Sequence, residues 1–111
     1  MIKQKTTAEE VCPIEQLMEL LGGKWTLLII RDLMQGCQRF SQLQRSIGNI
    51  NPRTLSARLS TLEKAGLITR RAYAEIPPRV EYTLTEKGRA LKPLLDIMRE
   101  YAETWLKKPK T

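Results

Sequence analysis

The chain has 111 residues, enough for one compact domain with a modest core. Its formal net charge is +7, and the balance of 41% hydrophobic and 28% charged residues is ordinary for a soluble globular chain. The chain has no histidine, which excludes histidine-based acid–base catalysis and leaves a zinc site only two cysteines and carboxylates. There is also no nucleophile–base pairing and no glycine-rich phosphate loop, so we predict no enzyme, cofactor or metal site.

No targeting segment is evident. Residues 1–10 are polar and lack the apolar centre of a signal peptide, and the longest apolar run, residues 27–30, is far too short to span a bilayer. Two cysteines without an export signal indicate a reducing compartment, with the thiols free. We therefore expect a cytoplasmic protein.

In chain order, residues 1–10 are expected to form a loose arm, and residues 11–111 a single domain. The first predicted helix has Cys12 at its N-cap and Pro13 at its first position, and ends at Gly22-Gly23. Three leucines form its apolar side: Leu17, Leu20 and Leu21. A second helix over residues 24–34 is apolar around most of its circumference and is the predicted centre of the core.

A loop over residues 35–38 leads to a third helix. We expect this helix to begin at Ser41, with Gln44 completing an S-x-x-Q capping box. Two apolar residues form its buried side: Leu43 and Ile47. A turn over residues 48–51 follows, in which Gly48 is free to take a positive φ.

The fourth predicted helix begins with Asn51 as N-cap and Pro52 at its first position, and ends at Gly66. Leucines at 3.6-residue spacing predict its buried face: Leu55, Leu59 and Leu62. The opposite face combines small hydroxyls with basic groups: Arg53, Ala57, Ser60 and Lys64, flanked by Thr54, Ser56 and Thr61. Such a face can reach base edges while the backbone approaches DNA closely, and the helix–turn–helix order over residues 39–66 suits that role.

The positive charge is concentrated. Residues 39–79 contain eight basic and two acidic residues, 8 − 2 = +6 of the total +7. A charge focused on a helix-turn-helix favours a polyanion, because phosphate neutralisation drives nucleic-acid binding.

After Gly66 the pattern changes to short strands. Residues 67–73 and 80–84 are predicted strands, and the prolines of the tip at residues 74–78 bar strand pairing there. The segment over residues 67–84 therefore reads as a basic wing. Three arginines would lie over the DNA backbone or minor groove: Arg70, Arg71 and Arg79.

Thr85 is the predicted cap of one long helix over residues 86–106, bent at Pro93. Its apolar stripe is wider than one small domain covers: Leu91, Leu94, Leu95, Met98, Tyr101, Ala102 and Trp105. A partner subunit would cover it in a homodimer; the alternative is a helix folded back onto the first helix as ordinary core.

These motifs resemble a known family. The blocks are CPIEQLMELLGGKWTLLIIRDL, RFSQLQRSIGNINPRTLSARLSTLEKAGLI and PPRVEYTLTEKGRAL, in order and without a gap. The chain is similar to the HxlR family of winged helix-turn-helix transcriptional regulators, relatives of MarR-type repressors. The resemblance implies a mostly α fold with a small β-hairpin wing (α+β). It also implies a homodimer built by the first and last helices and bound to double-stranded DNA at an inverted-repeat operator.

The resemblance places the recognition helix at residues 52–65 and a wing contact at Arg79. Arg58 falls on a flank of that helix, where a phosphate contact is expected. Together with the helix wheel, these considerations give the candidate DNA-binding residues: Ser41, Gln42, Arg53, Thr54, Ser56, Ala57, Arg58, Arg71 and Arg79.

Cys12 matches the N-terminal cysteine with which several family members sense electrophiles, quinones, aldehydes or oxidants. A helix start suits a reactive thiol because unpaired N–H groups face it, whereas Glu9, Glu10 and Glu15 act against it. The alternative is a packed, inert cysteine. A disulfide between subunits would join Cys12 either to Cys37 or to a second Cys12.

Two other functions stay open. A winged-helix dimer can serve as a protein-assembly module, because fold does not fix function. A small ligand could instead bind in a dimer cleft lined by Trp25, Met98 or Trp105, although such residues more often belong to a core.

Overall fold

The computed structural model of the protein describes residues 11–36 and 38–106. The predicted arm at residues 1–10 and the second cysteine, Cys37, lie outside these ranges. The helices are α1 (Pro13–Leu21), α2 (Thr26–Leu33), α3 (Phe40–Ser46), α4 (Pro52–Lys64), α5 (Glu86–Arg89) and α6 (Lys92–Trp105). The strands are β1 (Gln38–Arg39), β2 (Ile68–Tyr73) and β3 (Arg79–Leu84). The predicted α+β class is confirmed.

The core is centred on α2, as the sequence predicts. Ile29, Ile30 and Leu33 of this helix are fully buried. The leucines of α4 and the apolar residues of α3 close over it: Leu43, Ile47, Leu55, Leu59 and Leu62. The predicted start of α2 at Lys24 is wrong, because the helix begins at Thr26, whose hydroxyl donates to the Gly22 carbonyl at 3.0 Å.

The sheet has three antiparallel strands in the order β1-β3-β2. The two wing strands agree with the predicted ones to within one residue at each end. The loop predicted at residues 35–38 is wrong at its end, because Gln38 and Arg39 pair with Tyr82 and Glu81 of β3. This third strand connects the wing to the start of α3.

The predicted capping box of α3 is also wrong. The helix begins at Phe40, and the Gln42 side chain accepts from the Arg39 backbone N–H at 2.7 Å. Gln44 points elsewhere, donating to the Ile50 carbonyl at 3.1 Å across the turn. The helix start is therefore capped by Gln42, which accepts from the Arg39 N–H, and not by the predicted pair of Ser41 and Gln44.

The predicted long C-terminal helix is two helices. Thr85 caps α5 as expected, its hydroxyl accepting from the Gly88 N–H at 3.1 Å. The chain then breaks at Ala90 and Leu91, and α6 begins at Lys92 with Pro93 in its first turn. Proline lacks an N–H and is tolerated in a first turn, so the helix breaks before Pro93 instead of bending around it.

Candidate nucleic-acid interface

The start of α4 is fixed by its own sequence. The Asn51 side-chain oxygen accepts from the backbone N–H groups of Arg53 at 2.8 Å and Thr54 at 3.3 Å. The turn before it uses left-handed backbone at Gly48 (φ 80°) and Asn49 (φ 57°). A double cap on a tight turn defines where the first exposed side chains of α4 lie.

The two faces of α4 separate as predicted. Its leucines are at most 2% exposed. Arg53, Ser56, Ala57 and Ser60 are exposed on the other side. One long cation among small side chains allows close approach of the helix to base edges in a major groove.

The flanks of α4 are less open. Thr54 and Arg58 are half-buried. The Arg58 guanidinium lies against the turn before α2, where a Cβ built on Gly23 would meet its Nε and one terminal nitrogen at 3.5 Å. Among the residues that the structure describes, none accepts a hydrogen bond from the buried Arg58 Nε, so part of this side chain packs against the turn.

The two candidates on α3 differ in their freedom. Ser41 is exposed in the first turn of the helix. Gln42 is exposed too, but its side-chain oxygen already holds the Arg39 N–H. The exposed side chains of α4 are therefore better placed to bind DNA than the Gln42 side chain, which already has a hydrogen-bond partner.

The wing arginines divide between the two faces of the β2–β3 hairpin. In the cross-strand register Arg70 is opposite Tyr82, whereas Arg71 is opposite Glu81 and Tyr73 is opposite Arg79. Side chains alternate between faces along a strand, so Arg70 lies on the face of the buried Tyr82 and the other two arginines lie on the outer face.

The inner face of the hairpin and one flank of α4 enclose a cleft of about 520 Å³, which we call the helix–wing cleft. Its lining residues are Phe40, Ser56, Leu59, Ser60, Glu63, Arg70, Val80 and Tyr82. Apolar side chains form part of the lining, and two hydroxyls and a guanidinium lie beside them. The sequence placed Arg70 in the wing and Ser60 on the exposed face of α4, but it did not predict that these two residues and Glu63 line one cleft.

On the outer face the arginines already have partners. Arg79 donates to Glu75 at 2.8 Å and to Glu81 at 3.0 Å, and its guanidinium carbon lies 3.8 Å from the Tyr73 ring centroid. The guanidinium of Arg71 lies 5.3 Å from the same ring. We call these five residues the outer-face cluster; its two positive and two negative charges cancel.

Away from α4, the α1 and α6 helices border an apolar groove. It is lined by Ile14, Leu17, Met18, Leu21, Gly22, Gly23, Leu27, Leu94 and Met98. Of the predicted stripe, Leu91, Leu94, Leu95 and Ala102 are half-buried, whereas Met98, Tyr101 and Trp105 are 44%, 60% and 71% exposed. The start of α6 thus packs against the core of its own subunit, and the rest of the helix leaves a large apolar face open.

Among the grooves described in one subunit, none is lined by all three residues that were predicted for a ligand cleft in the dimer. Met98 lines the groove, whereas Trp105 lies beside Ile97 and Tyr101 farther along α6. Trp25 is half-buried under the Lys24 ammonium, which is 4.7 Å from its ring centroid.

Cys12 is a free, exposed cysteine at the N-cap of α1, and its side chain makes no capping hydrogen bond. In residues 11–36 and 38–106 no three histidine, cysteine or acidic side chains gather in a way that could hold a metal ion. None of the helices described is both long and apolar enough to cross a membrane.

Comparison with known proteins identifies similar chains. A family model described as HxlR-like helix-turn-helix matches residues 20–110. The uncharacterized HTH-type transcriptional regulator sll1512 of Synechocystis is 43% identical over 96 residues, covering 86% of this chain and 71% of that protein. The HTH-type regulator YvaP of Bacillus subtilis, also uncharacterized, is 40% identical over 98 residues, covering 87% and 91%.

Solved structures show the same architecture. The reduced form of the transcriptional regulator YodB from Bacillus subtilis superposes with a TM-score of 0.76 at 37% identity, covering 90% of this chain and 99% of that one. The redox regulator HypR in its reduced form gives a TM-score of 0.79 at 36% identity, covering 84% and 92%.

Proposed function

The chain belongs to the HxlR-like helix-turn-helix family of transcriptional regulators, and we propose that it is a homodimeric repressor that binds an inverted-repeat operator in double-stranded DNA through α4. The observation that carries this proposal is the exposed face of α4, on which Arg53 stands beside the small residues Ser56 and Ala57. An arginine with room around it can donate two hydrogen bonds to a guanine edge. Binding chromosomal DNA would place the protein in the cytoplasm.

The open face of α6 supports the homodimer. Ile97, Tyr101 and Trp105 are each at least 60% exposed and recur along one side of the helix. A contiguous apolar face of this kind is the usual mark of an interface. A two-fold axis through it would present two copies of α4 to one duplex, which is what an inverted repeat requires.

The test of DNA recognition compares two exposed basic residues on the same helix. Arg53→Ala removes one bidentate base contact from each subunit of the proposed dimer, at about 1–3 kcal/mol per contact, so discrimination between operator and random DNA should fall by about 2–6 kcal/mol, which is about 30-fold or more. Lys64→Ala, at the far end of α4, is the matched control and should leave discrimination unchanged. Genomic fragments selected by gel shift supply the operator, and a reporter fused to it distinguishes repression from activation.

If wild-type protein selects no fragment, the DNA-reading role of α4 is refuted. If Arg53→Ala discriminates as well as wild type, the proposed role of Arg53 in reading the operator is refuted. A protein-assembly module would give the first of these results. If Arg53→Ala still discriminates operator from random DNA and Lys64→Ala does not, the surface that reads DNA lies at the C-terminal end of α4.

We also propose that Cys12 is a thiol switch for DNA release. Its exposure at the start of α1 makes it accessible to an oxidant, and the similar proteins YodB and HypR have been solved in diamide-treated and oxidized forms respectively. Oxidation would join Cys12 to a second thiol in a disulfide, the two thiols losing two protons and two electrons that diamide takes up. The second thiol is Cys37 or the Cys12 of another subunit.

Diamide should release wild-type protein from its operator, and Cys12→Ser should bind equally well but resist release. Cys37→Ser serves as the control that identifies the second thiol: it resists release only if Cys37 is the partner. A Cys12→Ser protein that diamide still releases would make Cys12 structural. The same assay with quinone or aldehyde in place of diamide tests an electrophile response.

A further inference from the structure

The wing arginines differ in how far their charge is already paired, because Arg79 makes two ion pairs whereas Arg71 is exposed and lies 5.3 Å from the Tyr73 ring centroid. Arg79 is clamped: its side chain is only 25% exposed, it makes ion pairs with acids on either side of it in sequence, and it stacks on Tyr73. Of its two partners, Glu81 is 19% exposed and Glu75 is 47% exposed. A guanidinium held by two carboxylates has little free charge to offer a phosphate.

The contacts of Arg79 also have a clear mechanical effect. Glu75 belongs to the tip, whereas Tyr73 and Glu81 belong to β2 and β3 respectively. One side chain therefore ties the tip to both strands. Because the tip prolines at 77 and 78 donate no backbone hydrogen bonds, the side chain of Arg79 replaces what strand pairing would otherwise supply.

Arg70 is in the opposite situation. Its side chain is exposed, and within residues 11–36 and 38–106 it has no ion-pair partner. It lines the helix–wing cleft together with the hydroxyls of Ser56 and Ser60 from the flank of α4. Guanidinium and hydroxyl donors converging from two elements are the groups that bind phosphate oxygens in protein–DNA contacts.

We propose that the wing contacts the DNA backbone through Arg70 in the helix–wing cleft, whereas Arg79 is a positioning residue that holds the tip of the hairpin. This inference rests on the proposed function of α4. With α4 in the major groove, the phosphates that border the groove pass along the flank of the helix, and the cleft lies on that flank. Glu63 lines the same cleft and opposes an anion there, so it supplies an independent test.

The experiment measures the salt dependence of operator binding, since each phosphate neutralised contributes about 0.9 to the log–log slope. Arg70→Gln removes one phosphate contact from each subunit of the proposed dimer, so it should reduce the magnitude of the slope by about 1.8. Arg79→Gln should leave the slope unchanged. Glu63→Gln should strengthen binding to operator and random DNA alike, because it removes a charge that repels the phosphate.

The positioning role of Arg79 needs a readout of its own. Hydrogen exchange of the backbone amides at residues 74–76 should accelerate in Arg79→Gln and stay unchanged in Arg70→Gln. Arg79→Lys is the decisive variant: lysine keeps the charge that a phosphate contact needs but lacks the planar fork that reaches two carboxylates and stacks on a ring. We expect Arg79→Lys to exchange as fast as Arg79→Gln.

Three results overturn the inference while leaving the proposed function intact: a slope lowered by Arg79→Gln but not by Arg70→Gln, unchanged affinity in Glu63→Gln, or tip protection restored by Arg79→Lys. If the wild-type protein itself selects no operator, the proposed function of α4 fails, and with it the premise of this inference. The Arg53→Ala comparison on the same DNA separates the two cases.

Discussion

At Gly88, adding a single methyl group by substitution with alanine should strongly destabilise the fold. It is buried in α5, and a Cβ placed there would lie 2.8 Å from Leu84 Cδ2 and 3.3 Å from the Leu67 carbonyl carbon, and closer still to the Leu67 oxygen. That oxygen accepts the Thr85 N–H at 2.9 Å. The backbone at this contact cannot move aside without weakening that hydrogen bond.

Gly88→Ala should therefore lower the free energy of unfolding by about 2–4 kcal/mol, combining about 1–3 kcal/mol for overpacking with about 1 kcal/mol for the strained hydrogen bond. At about 4 °C per kcal/mol for a domain of this size, the melting temperature should fall by about 8–16 °C. Thermal unfolding followed by circular dichroism at one fixed protein concentration measures it, since association shifts the midpoint.

Gly48→Ala is the control, because a Cβ at Gly48 meets no atom within 4 Å and only its φ of +80° opposes the change. Its expected loss is about 1–2 kcal/mol. A Gly88→Ala protein that melts within 2 °C of wild type, or above Gly48→Ala, would refute the packing argument.

Two further substitutions test the elements that present α4. Asn51→Ala removes the acceptor of two N–H groups and should cost about 1 kcal/mol by urea titration, whereas Asn51→Ser keeps a side-chain acceptor at the cap and should cost much less; an unchanged midpoint in Asn51→Ala would contradict the capping role. If the proposed dimer forms through α6, Trp105→Glu should sediment as a monomer at micromolar concentration, whereas Glu103→Gln should sediment as a dimer; a dimeric Trp105→Glu would place the interface elsewhere.

Most of the helix-turn-helix could be predicted from the sequence because each helix start and each buried face is marked by residues close together in the chain. Asn51 followed by Pro52 marks a helix start on its own, and leucines spaced by four and three residues mark the buried side without reference to any other element. The same locality explains the failures. Strand β1 has only two residues, and Gln38 is a strand residue only because Tyr82 lies opposite it.

The division of the C-terminal helix also depends on contacts that are distant in sequence. Residues 86–106 favour helix nearly throughout, and Pro93 indicates only that some interruption is needed. The break falls at Ala90 and Leu91 after α5 has packed through Gly88 onto Leu67. Pro93 favours a helix start at α6, and the close contact between Gly88 and Leu67, about twenty residues apart, holds α5 in place; no window of local sequence contains that second contact.

For the wing, the sequence showed how much positive charge it carries but not which charges are available. Arg70 and Arg71 are adjacent, so strand alternation alone places them on opposite faces. The partners of Arg79 are less evident, because Glu75 reaches it only through the shape of the tip. Counting basic residues therefore overstates the charge that the outer face of the wing offers to DNA.

The position of the wing relative to α4 is set by contacts that lie away from the proposed DNA surface. The Thr85 hydroxyl donates to the Gly66 carbonyl at 2.6 Å, and the Lys87 ammonium donates to the Ala65 carbonyl at 2.7 Å, so the end of α4 is tied to the segment that follows β3. Together with the close packing at Gly88, these bonds fix the end of α4 relative to the end of β3, the two elements that border the helix–wing cleft. Replacing Arg53 or Arg70 removes an exposed group without touching this junction, so the effect of either substitution on DNA binding reports a lost contact and not a displaced wing.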